Sequence, residues 1–138
     1  MVTLIIGNRG SGKTKKLIDL ANEKVKETKG NVVVVEKGQK LTYNLSYQAR
    51  LVDVDEYKIK GYNGLYGFLG GICAGNYDLT DIFVDSTFKI CGDDMDELKK
   101  FIDDISVLAD KSNVSITFLI SSDKKSVPDD LPVEYMVL

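Results

Sequence analysis

The chain has 138 residues, about the size of one ordinary domain, and 43% of them are hydrophobic, as in typical globular proteins. Its formal net charge is −3 and its pI is near 5.0, so nucleic acid, which needs a concentrated basic surface, is not an expected partner. The sequence contains no histidine, which excludes Ser-His-Asp triads and zinc sites that use imidazole.

The cysteines and the amino-terminal residues indicate the cellular setting. Cys73 and Cys91 have no C-x-x-C spacing, and we expect two small core residues rather than a disulfide or a metal site. This predicts a reducing, cytoplasmic location. The short apolar start leads into a glycine-rich loop instead of a cleavage site, so it does not resemble a signal peptide. No stretch is long enough to span a bilayer, and no membrane partner is expected.

The first predicted strand, Val2–Ile6, leads into the most specific motif of the chain. The strand is almost wholly apolar, as expected for a central parallel strand. The next eight residues fit the pattern G-x-x-x-x-G-K-[ST] at every required position: Gly7, Asn8, Arg9, Gly10, Ser11, Gly12, Lys13 and Thr14. In this pattern the backbone N–H groups surround phosphate oxygens, the lysine reaches the β- and γ-phosphates, and the hydroxyl can ligate Mg²⁺. The motif predicts binding of ATP or another nucleoside triphosphate together with Mg²⁺, with Arg9 directed either at phosphate or at solvent.

A helix and two further strands are predicted after this loop. The helix runs from about Lys13 to Lys29 with one apolar face, and Gly30 is expected to be its C-cap. Val32–Val35 is a second buried strand. Residues 41–48 fit either a loop or a short helix. Arg50–Asp53 is predicted to be a short strand near a sheet edge, with Asp55 capping the segment after it.

A glycine-rich helix is predicted over residues 63–75, with apolar residues at helical spacing. Gly67, Gly71 and Gly75 fall four residues apart and therefore share one side of the helix. A smooth side of this kind allows close approach of another backbone. We expect it to pack against the protein's own sheet or helices; the alternative is an interface with a second copy or another protein.

The rest of the chain alternates between strands and a helix. When the short edge strand is left out of the count, Ile82–Asp85 is the third strand, and it is apolar. A helix capped by Asp93 or Asp94 follows it and runs to about Lys111. Val114–Ile120 is a fourth strand, and residues 133–138 form a short final one. The alternation predicts one domain over residues 1–138, with a mainly parallel sheet between two helical layers. Because ligands bind at the carboxyl ends of such strands, one rim should carry the glycine loop and several polar residues: Glu36, Asp53, Asp85, Ser86, Ser121 and Ser122.

An apolar strand that ends in Asp85 has the form of a Walker B strand, whose aspartate holds Mg²⁺ opposite the Thr14 hydroxyl. With the glycine loop, it resembles P-loop NTPases of the RecA-like division. The resemblance implies a five-stranded αβα sandwich with strand order 5-1-4-3-2. It also implies that Ser121 or Ser122 senses the γ-phosphate, and that Lys13 and Asp85 are the catalytic residues.

Two narrower groups are also similar to this chain: the core of thymidine kinases, and short P-loop proteins of Gram-positive bacteria labelled PilT-like. The sequence departs from both. Ser86 stands where thymidine kinases have a glutamate, their four-cysteine zinc site is absent, and pilus-retraction motors are far larger and have His-containing motifs. A serine hydroxyl is too weakly basic to activate water, and the candidate substitutes near strand ends are Glu36, Asp53, Asp55 and Glu56.

Three functions are therefore open. The first is a Mg²⁺-dependent ATP-binding protein with slow or partner-stimulated hydrolysis. The second is a small-molecule or nucleoside kinase, because phosphoryl transfer depends mainly on positioning and charge neutralisation. The third is a nucleotide-dependent binding or assembly module without turnover.

Overall fold

Six strands, all parallel, form one sheet in the order β3-β2-β4-β5-β1-β6, in a computed structural model that describes every residue from Met1 to Leu138. Each pair of neighbouring strands is hydrogen-bonded in parallel register. The strands are β1 (Val2–Gly7), β2 (Asn31–Glu36), β3 (Arg50–Asp53), β4 (Leu79–Val84), β5 (Ser115–Ser121) and β6 (Glu134–Val137).

The predicted count of five strands is wrong, and the predicted order 5-1-4-3-2 differs from the observed order because it lacks one edge strand. Arg50–Asp53 joins the sheet as a sixth strand, paired only with β2, and therefore forms one edge, as expected for this segment. It has four residues and none is fully buried, so its apolar signal is much weaker than that of β2, where five consecutive residues are buried.

Helices cover both faces of the sheet, which confirms the α/β sandwich. Helix α1 (Lys13–Glu27) packs Leu17 and Ala21 on one face, in a cluster with Ile5 and Leu119. The other face carries the larger cluster, to which α2 (Gly61–Gly75), α3 (Thr87–Cys91) and α4 (Met95–Ser112) all contribute buried side chains. No helix combines the length and the apolar character needed to cross a membrane.

The end of helix α1 and the role of Gly30 differ from the sequence-based expectation. Helix α1 ends at Glu27, and Gly30 is not its C-cap: Thr28 is extended, with φ −86° and ψ 150°. Gly30 lies instead against the backbone of Asp78, whose carbonyl oxygen occupies the space that a Cβ atom at position 30 would need. Close approach of two chain segments therefore explains this glycine.

Aspartate side chains cap α4 and the 3₁₀ turns, whereas α2 and α3 begin without a side-chain cap. Asp94 accepts hydrogen bonds from the amides of Asp96 and Glu97 and begins α4, as one of the two predicted alternatives. Asp53, not Asp55, caps the 3₁₀ turn at Val54–Tyr57. Residues 41–48 contain only turns and bends, so the loop alternative is the correct one.

The glycine side of α2 does not pack against the protein's own elements, contrary to expectation. Gly67, Gly71 and Gly75 are exposed, and nothing lies within 4 Å of the place where a Cβ atom would stand on any of them. Helix α2 is anchored through its opposite side, by Tyr62, Leu65 and Leu69. Contact of the glycine side with a second copy or another protein stays a prediction.

Substitution by alanine should destabilise the protein at Gly30 and stabilise it at Gly67. Gly30→Ala places a methyl group against the Asp78 carbonyl and should lower the free energy of unfolding by about 1–3 kcal/mol. Gly67→Ala adds a methyl group in open space within a helix and should raise it by about 1 kcal/mol. Urea unfolding followed by circular dichroism measures both, and a destabilised Gly67→Ala variant would contradict the exposed position of this side of α2.

Candidate functional site

The glycine loop (Gly7–Thr14) is tightly curled between β1 and α1. Gly10 and Gly12 have φ values of 83° and 89°, a left-handed backbone that favours glycine. The Ser11 amide donates to the Asn8 carbonyl at 3.1 Å, which closes the turn. A Cβ atom on Gly7 would overlap the Ser11 hydroxyl, so any larger residue at the first position of the loop would have to displace that side chain.

The amino terminus of α1 is left without a cap. Gly12 occupies the N-cap position, no side chain accepts a hydrogen bond there, and the first turn contains no acidic residue. The amides of Gly10 and Gly12 donate to no acceptor in the protein. Helix α4 differs, because Asp94 occupies the same position and satisfies two amides. Free N–H groups at the positive end of a helix are a binding site for an anion.

Lys13, the first residue of α1, is held inside the glycine loop. Its Nζ atom donates to the Asn8 carbonyl at 3.0 Å, and the residue is only 8% exposed. Burial lowers the pKa of the Lys13 ammonium, while the negative charge of Asp85 opposes this shift. The loop thus keeps a desolvated cation beside the free amides, where an anion would restore its lost solvation.

Asp85 follows β4 directly and meets the glycine loop from a separate part of the chain. The Thr14 hydroxyl donates to Asp85 Oδ1 at 3.4 Å, although the two residues are 71 positions apart. The Ser86 hydroxyl donates to Oδ2 at 2.9 Å. Ser86 itself has a left-handed backbone, with φ 60°. A hydroxyl and a carboxylate side by side are the hard oxygen ligands that Mg²⁺ prefers.

A cleft of about 420 Å³, the loop cleft, opens over these residues. Asp85 is the only carboxylate in its lining, whereas four cationic side chains line it: Arg9, Lys13, Lys40 and Lys89. Ser121, at the end of β5, also lines the cleft, but the Ser122 hydroxyl donates to the carbonyl of Asp123 at 2.9 Å. The excess of positive charge suits a polyanion.

The loop cleft includes only part of the predicted set of residues. Arg9, Gly10, Lys13 and Thr14 line it, together with Asp85 and Ser121. The other members of the glycine loop shape its backbone without lining the cleft: Gly7, Asn8, Ser11 and Gly12. The Ser11 hydroxyl is buried without a hydrogen-bond partner.

Glu36, one of the candidate bases, ends β2, the strand next to β4. It does not line the loop cleft. It is 1% exposed, and its carboxylate accepts hydrogen bonds from the amides of Lys40 at 2.9 Å and Leu41 at 3.4 Å. Burial raises the pKa of the Glu36 carboxyl; the two amide hydrogen bonds oppose the shift, and the charges of Asp85 and Asp53 add to it. Its side chain lines a second cleft of about 260 Å³ rather than the loop cleft.

The remaining candidate bases are engaged in surface structure around this second cleft. Asp53 Oδ1 accepts from the amides of Gly38 and Asp55. Asp55 forms an ion pair with Lys37 at 2.6 Å. Glu56 accepts a long hydrogen bond, 3.4 Å, from the Gln39 side chain. None of these three carboxylates lines the loop cleft.

Sequence reasoning did not identify Lys40 and Lys89 as site residues. Lys40 belongs to the loop after β2, and Lys89 lies on α3, a five-residue helix that was not predicted. Exposed lysines are common on any surface, and neither residue belongs to a motif. Only the tertiary structure brings both to the same cleft.

Glu36 should make stability depend on pH. A carboxyl group whose pKa is raised in the folded state stabilises the fold fully below its unfolded value, here about 4.5, and this contribution is lost as pH rises through the folded value. The free energy of unfolding of the native protein, relative to Glu36→Gln, should therefore fall between pH 4 and pH 8. Urea unfolding across this range measures the difference, with Glu23→Gln, which removes an exposed carboxylate of α1, as the control. A difference that is constant with pH would contradict the assignment.

Comparison with known proteins adds no family to these observations. No protein-family model matches the chain, and no curated protein shows a significant match to it. The function must therefore be inferred from the chain's own residues and their geometry.

Proposed function

We propose that the chain is a cytoplasmic P-loop protein that binds ATP or another nucleoside triphosphate with Mg²⁺ and hydrolyses it slowly or when a partner stimulates it. One observation carries the proposal. Thr14 and Asp85, far apart in sequence, lie within 3.4 Å of each other directly beside the uncapped amino terminus of α1 and the buried Lys13. A phosphate site and a pair of Mg²⁺ ligands thus adjoin each other in a cleft lined by cations.

In this proposal each group has a separate task. The amides of Gly10 and Gly12 and the first turn of α1 hold phosphate oxygens, and Lys13 exchanges its bond to the Asn8 carbonyl for one to phosphate. Thr14 and Asp85 hold Mg²⁺, which neutralises charge on the phosphates. Ser121 lies at the carboxyl end of the strand between β1 and β4, where its hydroxyl can donate to the terminal phosphate.

The lining of the loop cleft supports slow turnover. In hydrolysis a water oxygen bonds to the terminal phosphorus, the bond to the bridging oxygen breaks, and the water loses a proton to a base. Asp85 is the only carboxylate that lines the cleft, and it is assigned to the metal. The Ser86 hydroxyl already donates to Asp85 and is a poor base. A partner that supplied a carboxylate or a cation would accelerate the reaction.

Glu36 favours a second candidate function, transfer of the terminal phosphate to a small molecule. It ends β2 beside the Asp85 strand and lines the second cleft together with Arg50, Asp53 and Glu56. A carboxyl group whose pKa is raised by burial is suited to accept a hydroxyl proton. The fate of the labelled terminal phosphate of ATP, either free phosphate or a phosphorylated nucleoside, distinguishes hydrolysis from transfer.

Removal of the Lys13 ammonium should weaken binding of Mg·ATP. Charge-assisted hydrogen bonds contribute about 1.5–3 kcal/mol, so Lys13→Ala should raise the Kd of Mg·ATP by about tenfold to one-hundredfold. Isothermal titration calorimetry measures the Kd, and Lys26→Ala is the matched control, because it removes an exposed lysine from the other end of the same helix. Equal Kd values for native protein and Lys13→Ala, or no binding by the native protein, would refute the proposal.

Asp85 should strengthen the binding of ATP only when Mg²⁺ is present. Asp85→Asn should weaken ATP binding about tenfold in excess Mg²⁺, because a neutral amide is a poorer ligand for the ion. In excess EDTA its affinity should equal or exceed that of the native protein, since a negative charge has left the cleft. Calorimetry under both conditions makes the comparison, with Asp110→Asn on the exposed face of α4 as the control. A loss of the same size with and without Mg²⁺ would show that Asp85 acts in some other way.

A further inference from the structure

Lys40 and Lys89 are two cations of the loop cleft without carboxylate partners. The chain forms four ion pairs, and neither residue takes part in any of them: Lys15–Asp19, Lys24–Glu27, Lys37–Asp55 and Lys99–Asp130. Lys37, only three positions before Lys40, is paired with Asp55 at 2.6 Å. Both lysines are exposed, and both line the loop cleft. Their charge is therefore available to a ligand.

The strand order places these two lysines opposite the glycine loop. The glycine loop follows β1, Lys89 follows β4, Lys40 follows β2, and the order along this part of the sheet is β2-β4-β5-β1. Neighbouring strands lie about 4.8 Å apart, so the end of β4 is about 10 Å from the end of β1, and the end of β2 about 14 Å. A phosphate chain that begins at α1 and crosses the end of β5 extends its far end toward the side of the loop cleft where these two strands end.

Anchored segments carry both lysines. The Lys40 amide donates to the buried Glu36 carboxylate at 2.9 Å, and the next residue, Leu41, is 3% exposed. Lys89 lies on α3 beside Ile90, which is 5% exposed and belongs to the larger core cluster. The backbone positions of the two lysines are thus fixed, whereas the side chains stay free to contact a ligand.

We propose that Lys40 and Lys89 bind the terminal phosphate and make the loop cleft selective for nucleoside triphosphates over diphosphates. This inference rests on the proposed function, since it assumes that the inner phosphates lie on the glycine loop. A diphosphate held there ends short of the two lysines and gains little from them. A triphosphate places its additional charge between them, where each ammonium forms a charge-assisted hydrogen bond.

The test compares two ligands across a set of lysine variants. Calorimetry with Mg·ATP and Mg·ADP is applied to the native protein, Lys40→Gln, Lys89→Gln and the double variant, with Lys26→Gln as a control on a distant exposed lysine. Each single variant should raise the Kd of Mg·ATP about tenfold and leave the Kd of Mg·ADP within about twofold. Lys89→Arg keeps the charge and should retain most of the preference for ATP. Thermal unfolding confirms that each variant is folded.

The possible outcomes separate this inference from the proposed function. If the native protein binds both nucleotides and the variants weaken both equally, the lysines supply only general attraction, and the inference is overturned while the proposed function stands. The same conclusion holds if neither variant changes either Kd. If the native protein binds neither nucleotide, the proposed function fails and the inference fails with it.

Discussion

The position of β5 between β1 and β4 is the constraint on which the rest of the structure depends. Its pairing with both neighbours brings the carboxyl ends of the two strands to one rim, and only then do Thr14 and Asp85 meet. The strand is covered on both faces, since Phe118 belongs to the larger core cluster and Leu119 to the smaller one. Without this buried strand, neither the glycine loop nor Asp85 would have a fixed partner, and the cleft between them would not exist.

The amino termini of α1 and α4 differ in whether the protein itself supplies hydrogen-bond acceptors for their first amides. Asp94 satisfies the first amides of α4 internally, whereas α1 begins with amides that have no partner and a lysine withdrawn from solvent. A fold selected for stability alone gains by capping α1 and exposing Lys13, because an N-cap side chain stabilises a helix by about 1 kcal/mol and a desolvated charge is costly. Protein stability at this end of α1 is therefore lower than the sequence could supply, and a bound anion would recover the difference.

The parts of the fold that could be predicted are those determined by local sequence. The buried run at Val32–Val35, the alternation of strands with helices and the glycine loop after β1 all have strong local signals, and α4 shows a clear apolar face with an Asp cap. The remaining features depend on contacts between distant residues. The role of Gly30 is set by Asp78, and the presence of Lys40 and Lys89 in one cleft is set by the order of the strands. Glu36 could be placed at a strand end but not assigned to a cleft, since the loop that surrounds it has no regular pattern.

The exposed glycines of α2 have a consequence for local unfolding. Each glycine in a helix costs about 1 kcal/mol relative to alanine, so α2 has little tendency to be helical on its own and is held mainly by Tyr62, Leu65 and Leu69. Such an element opens at a lower free energy than its neighbours, and its amides exchange with solvent earlier than those of α4. Leu65 and Leu69 share a core cluster with Val84, the residue directly before Asp85. Part of the core cluster that contains the strand before Asp85 is therefore supplied by a helix with little tendency to form on its own.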